Sequence, residues 1–215
     1  IGPYYYSPYK KPNEYNYNIS DFAHWSQFYP YTDTLIENIK PFFKSLFSPS
    51  ENILSIIEII KEKYNIDYDN TCVLFLRGGD KQRETTIPTY DDYIKKLNND
   101  IEEHEHYKNL RYLVQSDETQ FIDEMKKIFT NSFSFKEEIR TVPKAKKGQP
   151  DLGGGDNLKY SQFFLAILII MSKCKYVYCN TGNCSLWIRL YRESNKGFNQ
   201  WIGNGIQWKK NSMWL

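Results

Sequence analysis

The amino-acid sequence predicts an α/β fold, a Rossmann-like parallel sheet with helices on both faces, preceded by an extended Tyr-rich arm and helices. Three observations carry this. Cys72-Val73-Leu74-Phe75-Leu76 is a short unbroken apolar run, the pattern of a strand covered on both faces. Strand-like runs then alternate with segments of helical period in the order βαβαβαβα, which argues for parallel strands joined by crossover helices. Polar residues follow directly after three of these strands, where ligands of open α/β sheets bind. At 215 residues the chain suits one such domain with an appendage. The arm and lead-in helices fall at residues 1–68 and the Rossmann-like domain at residues 69–215.

Each element follows from its own pattern. Residues 1–31 hold eight tyrosines with Pro3, Pro8, Pro12 and Pro30 and show neither helical period nor clean alternation. They read as an extended arm whose aromatics must pack, either on their own domain or on a sugar or partner. Residues 34–64 are helical in pattern. Within them Ser48-Pro49-Ser50-Glu51 reads as a capping box with Pro at the first helical position, ahead of Ile53, Ile56, Ile57 and Ile60. Beyond the first strand, a helix is expected from about Tyr90 to Glu103, a strand at Tyr112-Leu113-Val114, and a helix over residues 119–129 with Phe121, Ile122, Met125 and Phe129 on one face. A weaker strand follows over residues 138–142. Residues 144–156, with Gly153-Gly154-Gly155, read as a loop, and Asp156 as the cap of an apolar helix reaching Lys173. Strand Tyr176-Val177-Tyr178-Cys179 and a helix over about residues 184–191 close the series.

Several function classes are excluded or left unsupported. A formal net charge of +2 gives no bulk attraction to nucleic acid or to a membrane surface. The longest apolar run, Phe163 to Met171, is less than half the roughly 20 residues of a membrane span, so it reads as a buried helix. The chain opens without Met and without a charged-then-apolar leader, the expectation for a fragment whose targeting signal, if there is one, lies outside it. Cys72, Cys174, Cys179 and Cys184 lack CxxC spacing and read as unligated core thiols. Asn18-Ile19-Ser20 and Asn183-Cys184-Ser185 match a glycosylation pattern that matters only in a secretory compartment, so location stays open. Neither GxGxxG nor GxxxxGK[ST] occurs, and there is no internal repeat. In Glu102-Glu103-His104-Glu105-His106 the histidines are two apart and share no helix face, so the segment reads as a solvated helix end and no metal is assigned.

The chemistry is expected at the strand ends. After the first strand comes Arg77-Gly78-Gly79-Asp80-Lys81, after the second Gln115-Ser116-Asp117, and after the last Asn180-Thr181-Gly182-Asn183 at a helix N-terminus. Phosphate needs a fork of donors, which Arg77 offers, close backbone approach, which Gly78 and Gly79 permit, and helix N-terminal N–H groups, which the turn from Thr181 provides. The plainer reading is an Arg77–Asp80 ion pair in a tight turn with Asn180 to Asn183 merely capping a helix. Convergence of three such segments on one sheet edge favours a diphosphate pocket.

At these residues the chain resembles the superfamily of α1,6-, α1,2- and protein O-fucosyltransferases. Val73 to Lys81 resembles the first family motif, a strand ending in His-x-Arg-Arg-x-Asp-Lys, and Glu84, Pro88 and Tyr93 stand near the places of the Glu, Pro and aromatic that follow it. Tyr112 to Asp117 resembles the second, a strand ending in an acidic pair. Met171 to Thr181 resembles the third, a strand leading into a phosphate-binding turn. The similarity spans about Trp25 to Tyr191.

The resemblance implies the donor-nucleotide half of a GT-B-type, inverting, metal-independent transferase with no cofactor beyond its donor, a nucleotide diphosphate sugar that is GDP-fucose in family members. Arg77 would grip the diphosphate and Glu84 would take the acceptor proton. Gly78, Gly79, Asp80, Lys81, Tyr93, Ser116, Asp117, Thr181, Gly182 and Asn183 would line the donor pocket. The acceptor would be a glycan or glycoprotein, and the family's acceptor domain is missing from this chain. Three positions depart from the family pattern: Phe75 stands for the His that reads guanine, Ile167 or Ala166 for the Asp that binds the base edge, and Gly78 for the second Arg. Base and sugar therefore stay open, as does the alternative of a non-catalytic module that binds a glycan or a protein.

Overall fold

The computed structural model describes residues 33–83, 85–137, 157–192, 194–202 and 208–210. Helices α1 (Asp33–Phe47) and α2 (Glu51–Tyr64) lead into β1 (Thr71–Leu76), α3 (Tyr90–Glu103), β2 (Arg111–Ser116), α4 (Thr119–Ile128) and β3 (Ser132–Phe133). After these come α5 (Asn157–Lys173), β4 (Tyr176–Asn180), α6 (Asn183–Tyr191), β5 (Phe198–Trp201) and β6 (Trp208–Lys210). Among the described residues one six-stranded sheet runs β3-β2-β1-β4-β5-β6, in which only β6 is antiparallel to its neighbour. This is the strand order of the dinucleotide-binding folds, with the direction of winding reversing between β1 and β4.

The period-two rule explains both layers. Along the fully buried β1, Val73 and Phe75 point into a core shared with α1, α2, α5 and α6, while Cys72, Leu74 and Leu76 point into a second core shared with α3 and α4. Ile36 and Phe43 of α1 and Ile53, Ile57 and Ile60 of α2 belong to the first of these cores, so the lead-in helices pack as part of the sheet's own cover. In the second core Tyr178 donates its hydroxyl to Asp100, whose carboxylate also receives Lys96 one helical turn earlier. This satisfies a carboxylate that is 1% exposed.

Several sequence expectations need correction. The α2 cap is Ser50, whose Oγ accepts from Ile53 N at 3.5 Å, so Pro49 precedes the cap instead of opening the helix. The strand paired beside β2 is Ser132–Phe133, too short to show alternation, whereas the expected strand at 138–142 lies outside the described residues, as do the arm, the glycine loop and Asp156. The series does not close at α6, because β5 and β6 extend the sheet. The first helical residue of α6 is Asn183 and the last of α4 is Ile128, each within one residue of expectation. At α3 the start at Tyr90 has a clear cause: Thr89 Oγ1 accepts from Asp92 N at 3.2 Å while Asp92 Oδ2 accepts from Thr89 N at 2.8 Å. No described helix is long and apolar enough to cross a membrane. Cys72, Cys174 and Cys179 are buried and Cys184 is half-buried.

Candidate functional site

The carboxyl ends of β1, β2 and β4 meet at one edge of the sheet. Arg77, first after β1, is tied to the end of β4 by a reciprocal pair: its N–H donates to Asn180 Oδ1 at 2.8 Å and its carbonyl accepts from Asn180 Nδ2 at 2.9 Å. The Arg77 guanidinium forms an ion pair with Asp117, first after β2, and the other oxygen of Asp117 accepts from Gly78 N at 2.8 Å. Gly79 N donates to Glu118 Oε1 at 2.8 Å, and Tyr90 at the start of α3 donates its hydroxyl to Glu118 Oε2 at 2.9 Å. Gly79 has φ +50, and a Cβ there would sit 2.9 Å from Asp117 Oδ2. A Cβ on Gly78 would fall on the Glu118 carboxylate. Both glycines thus make room for side chains of the β2 loop.

The β4 side of the edge is built differently. Thr181 is buried and turned toward β5, its hydroxyl donating to the Trp201 carbonyl at 2.7 Å and accepting from Gln200 Nε2 at 2.9 Å. Gly182 stands at the N-cap position of α6 and supplies no side-chain cap to the first turn. Lys81 folds back over it: a tight turn with Lys81 N donating to Gly78 O at 2.9 Å brings the lysine side chain, 5% exposed, against Gly182, where a Cβ would lie 3.8 Å from Lys81 Cε. A buried ammonium beside a helix N-terminus places two positive ends together, an arrangement that suits an anion.

Burial raises the Asp117 carboxyl above its ordinary value. The Arg77 guanidinium and the Gly78 N–H pull it back, and the neighbouring Glu118 carboxylate pushes it up further. A carboxyl held higher when folded binds its proton more tightly in the folded chain. Its contribution to stability is therefore complete below 3.8 and is lost as pH climbs through the raised value. Asp117→Asn removes this titration, so the stability of wild type minus that of the variant is expected to fall as pH rises from 3.8, followed by urea unfolding at a series of pH values. A difference that grew with pH would mean that folding favours the charged form.

Of the residues singled out in the sequence, Arg77, Gly78, Gly79, Lys81, Ser116, Asp117, Thr181, Gly182 and Asn183 lie at this edge, with Asn183 exposed and Ser116 buried, its Oγ accepting from Glu118 N at 2.9 Å. Asp80 lies on the turn Gly79–Arg83. Tyr93 is 0% exposed and donates its hydroxyl to the Phe75 carbonyl at 2.6 Å, so it braces β1 from within the core. Glu84 lies outside the described residues. Arg77 forms an ion pair with Asp117, and the side chain of Asp80, which the plainer sequence reading paired with it, lies outside the described residues. Phe75, Ala166 and Ile167, at the family's base-reading positions, all point into the apolar core. Glu118 was missed as a site residue, and Asn180, quoted at its strand end, was given no role in the site. The signal for Glu118 was its place at the N-cap of α4, one step beyond the strand end; for Asn180 it was a polar residue closing a buried strand. Among the described residues no group of three or more His, Cys, Asp or Glu side chains is gathered as for a metal ion.

No protein-family model matches the chain, and no curated protein matches it. Among solved structures it is similar to the fucosyltransferase NodZ from Bradyrhizobium, at 13% identity and a TM-score of 0.43, over 75% of this chain and 48% of that one. It is also similar to NodZ α-1,6-fucosyltransferase soaked with GDP-fucose, at 13% identity and 0.43 over 99% and 73% of the two chains. The same enzyme co-crystallised with GDP gives 13% identity and 0.41 over 94% and 68%. The chain thus spans about half the length of the first of these, and at such distance none assigns a role to any residue here.

Proposed function

We propose that this chain carries the donor-binding lobe of a glycosyltransferase, holding a nucleotide diphosphate sugar across the switch point between β1 and β4. The observation that carries this reading is the buried Lys81 laid against the N-terminus of α6, which has no side-chain cap, at the same edge as Arg77. A diphosphate there would meet an ammonium, backbone N–H groups and a guanidinium fork, which stabilise the charge that develops on a leaving diphosphate without a metal. The order of the three sequence motifs supports a fucosyltransferase-like, inverting transfer of GT-B type to a glycan or protein hydroxyl, in a single displacement with Glu84 as the base and no cofactor beyond the donor. The acceptor would be held by a further segment outside this chain. With Phe75, Ala166 and Ile167 all in the core, the base must be read by other groups, and GDP-fucose is one candidate donor among several.

A second reading has one observation in its favour. The Arg77 guanidinium and the Gly78 and Gly79 N–H groups already hold carboxylates of this chain, as expected of a lobe that no longer binds a donor and serves to bind a glycan or protein. A thermal-shift series with GDP, UDP and their sugar conjugates separates the two. A ligand at 100 times its dissociation constant stabilises the fold by about 2.7 kcal/mol. The donor-lobe reading expects such a shift with at least one nucleoside diphosphate, and no shift with any at millimolar concentration would leave the binding module standing.

A further inference from the structure

The donors that the β1 loop presents to an anion are in use by the chain itself. Arg77 Nη1 and Gly78 N hold the two oxygens of Asp117, and Gly79 N holds one oxygen of Glu118 at 2.8 Å. Three consecutive residues thus face two carboxylates, both supplied by the short segment between β2 and α4. A carboxylate so held resembles a phosphate in sign of charge, in acceptor oxygens and in N–H···O distance. Glu118 is steadied on its other oxygen by the Tyr90 hydroxyl, and the Tyr90 ring meets Phe121 of α4 edge-on with centroids 5.4 Å apart. Gly78 and Gly79 are the residues this arrangement requires, because a Cβ at either would meet one of the two carboxylates.

We propose that Asp117 and Glu118 form an internal latch, an anion of the chain's own seated where a ligand's diphosphate would go, and that a nucleoside diphosphate enters by displacing it from Arg77, Gly78 and Gly79. The latch rests on the donor-lobe reading and deepens it. Asp117 and Glu118 become residues that set when the site opens, and Tyr90 a residue that positions Glu118. Lys81 and the N-terminus of α6 flank the latch at the same edge of the sheet, where incoming phosphates would meet them. The latch reverses the expectation for Asp117: a residue that holds the donor should weaken binding when neutralised, whereas a residue that competes with the donor should strengthen it.

The test measures affinity for GDP, UDP and inorganic pyrophosphate by calorimetry in wild type, Asp117→Asn, Glu118→Gln and Tyr90→Phe. These substitutions keep the shape of each side chain, and pyrophosphate probes the anion site with neither base nor ribose. A latch closed nine-tenths of the time weakens apparent affinity about tenfold, so loosening one hold should tighten binding roughly threefold to tenfold in each variant. Pyrophosphate should gain by the same factor as the nucleotide. A merely structural role for Glu118 or Tyr90 predicts weaker binding in a loosened loop, so the direction of change distinguishes the two roles. Binding that is equal or weaker in all three variants overturns the latch and leaves the donor-lobe reading intact. Binding of no ligand to any of the four proteins overturns both.

Discussion

Arg192→Ala is expected to destabilise the fold by about 3–5 kcal/mol, since it strips four buried carbonyls of a charged donor at about 1–3 kcal/mol each, less than additively. Arg192 caps α6 and is 7% exposed. One arm of its guanidinium donates to the carbonyls of Ser172, at 2.9 Å, and Cys174; the other donates to those of Lys175 and Lys196, each at 2.6 Å. Four backbone acceptors from the end of α5, the entry to β4 and the turn before β5 thus share one planar donor. The cation also sits where the carbonyl end of α5 favours positive charge. Burial lowers the Arg192 pKa to about 10, which still leaves it charged at neutral pH. Alanine would leave these carbonyls without their donor, and lysine, with three donors in a different geometry, should recover less than half of the loss. The measurement is the midpoint of urea unfolding, expected to drop by roughly 1–2 M. A loss below about 1 kcal/mol would show that water replaces the guanidinium, and that Arg192 does not join β4 and β5 to α5.

Arg192 also shows where sequence reading stops. The strands that were legible are those whose burial is written in apolar side chains: β1, β2 and β4 sit in the middle of the sheet and need no polar partner for most of their length. β5 was illegible because its two middle residues are Asn199 and Gln200, buried yet polar, and Gln200 Nε2 donates to Thr181 Oγ1 on another element. A buried polar strand has the composition of a loop until its partners are known. The placement of Arg77, Asp117 and Thr181 on one edge followed from the strand-end rule alone. Their orientation did not, since rotamer and partner depend on the neighbouring loop: Thr181 turns to β5, Tyr93 turns into the core, and Asp117 turns onto Arg77. The glycines illustrate the same limit. Composition indicated that a group approaches the backbone closely at Gly78 and Gly79, but could not show that in this state the group is a carboxylate of the chain itself.

Arg77→Ala is expected to weaken nucleoside diphosphate binding roughly tenfold to a hundredfold, the equivalent of losing about 1.5–3 kcal/mol from a hydrogen bond to a charged group. Arg77→Lys should rescue poorly, because an ammonium cannot reproduce the two parallel contacts of a guanidinium fork. The fold should suffer far less than the affinity. The Arg77 side chain is 31% exposed, and an ion pair that open to solvent contributes about 1 kcal/mol or less. Asp117 also keeps its bond from Gly78 N when the guanidinium is gone, and the reciprocal Arg77–Asn180 pair is made by backbone atoms of Arg77 that substitution leaves in place. Arg77→Ala and Asp117→Asn break the same ion pair, so a structural role alone predicts the same consequence for both. If Arg77 holds the ligand and Asp117 competes with it, the two variants move in opposite directions, one weaker and one tighter, while their unfolding midpoints stay close together. Calorimetric titration with GDP and UDP at fixed salt reads the difference directly, and affinity unchanged from wild type in both Arg77 variants would remove Arg77 from the site.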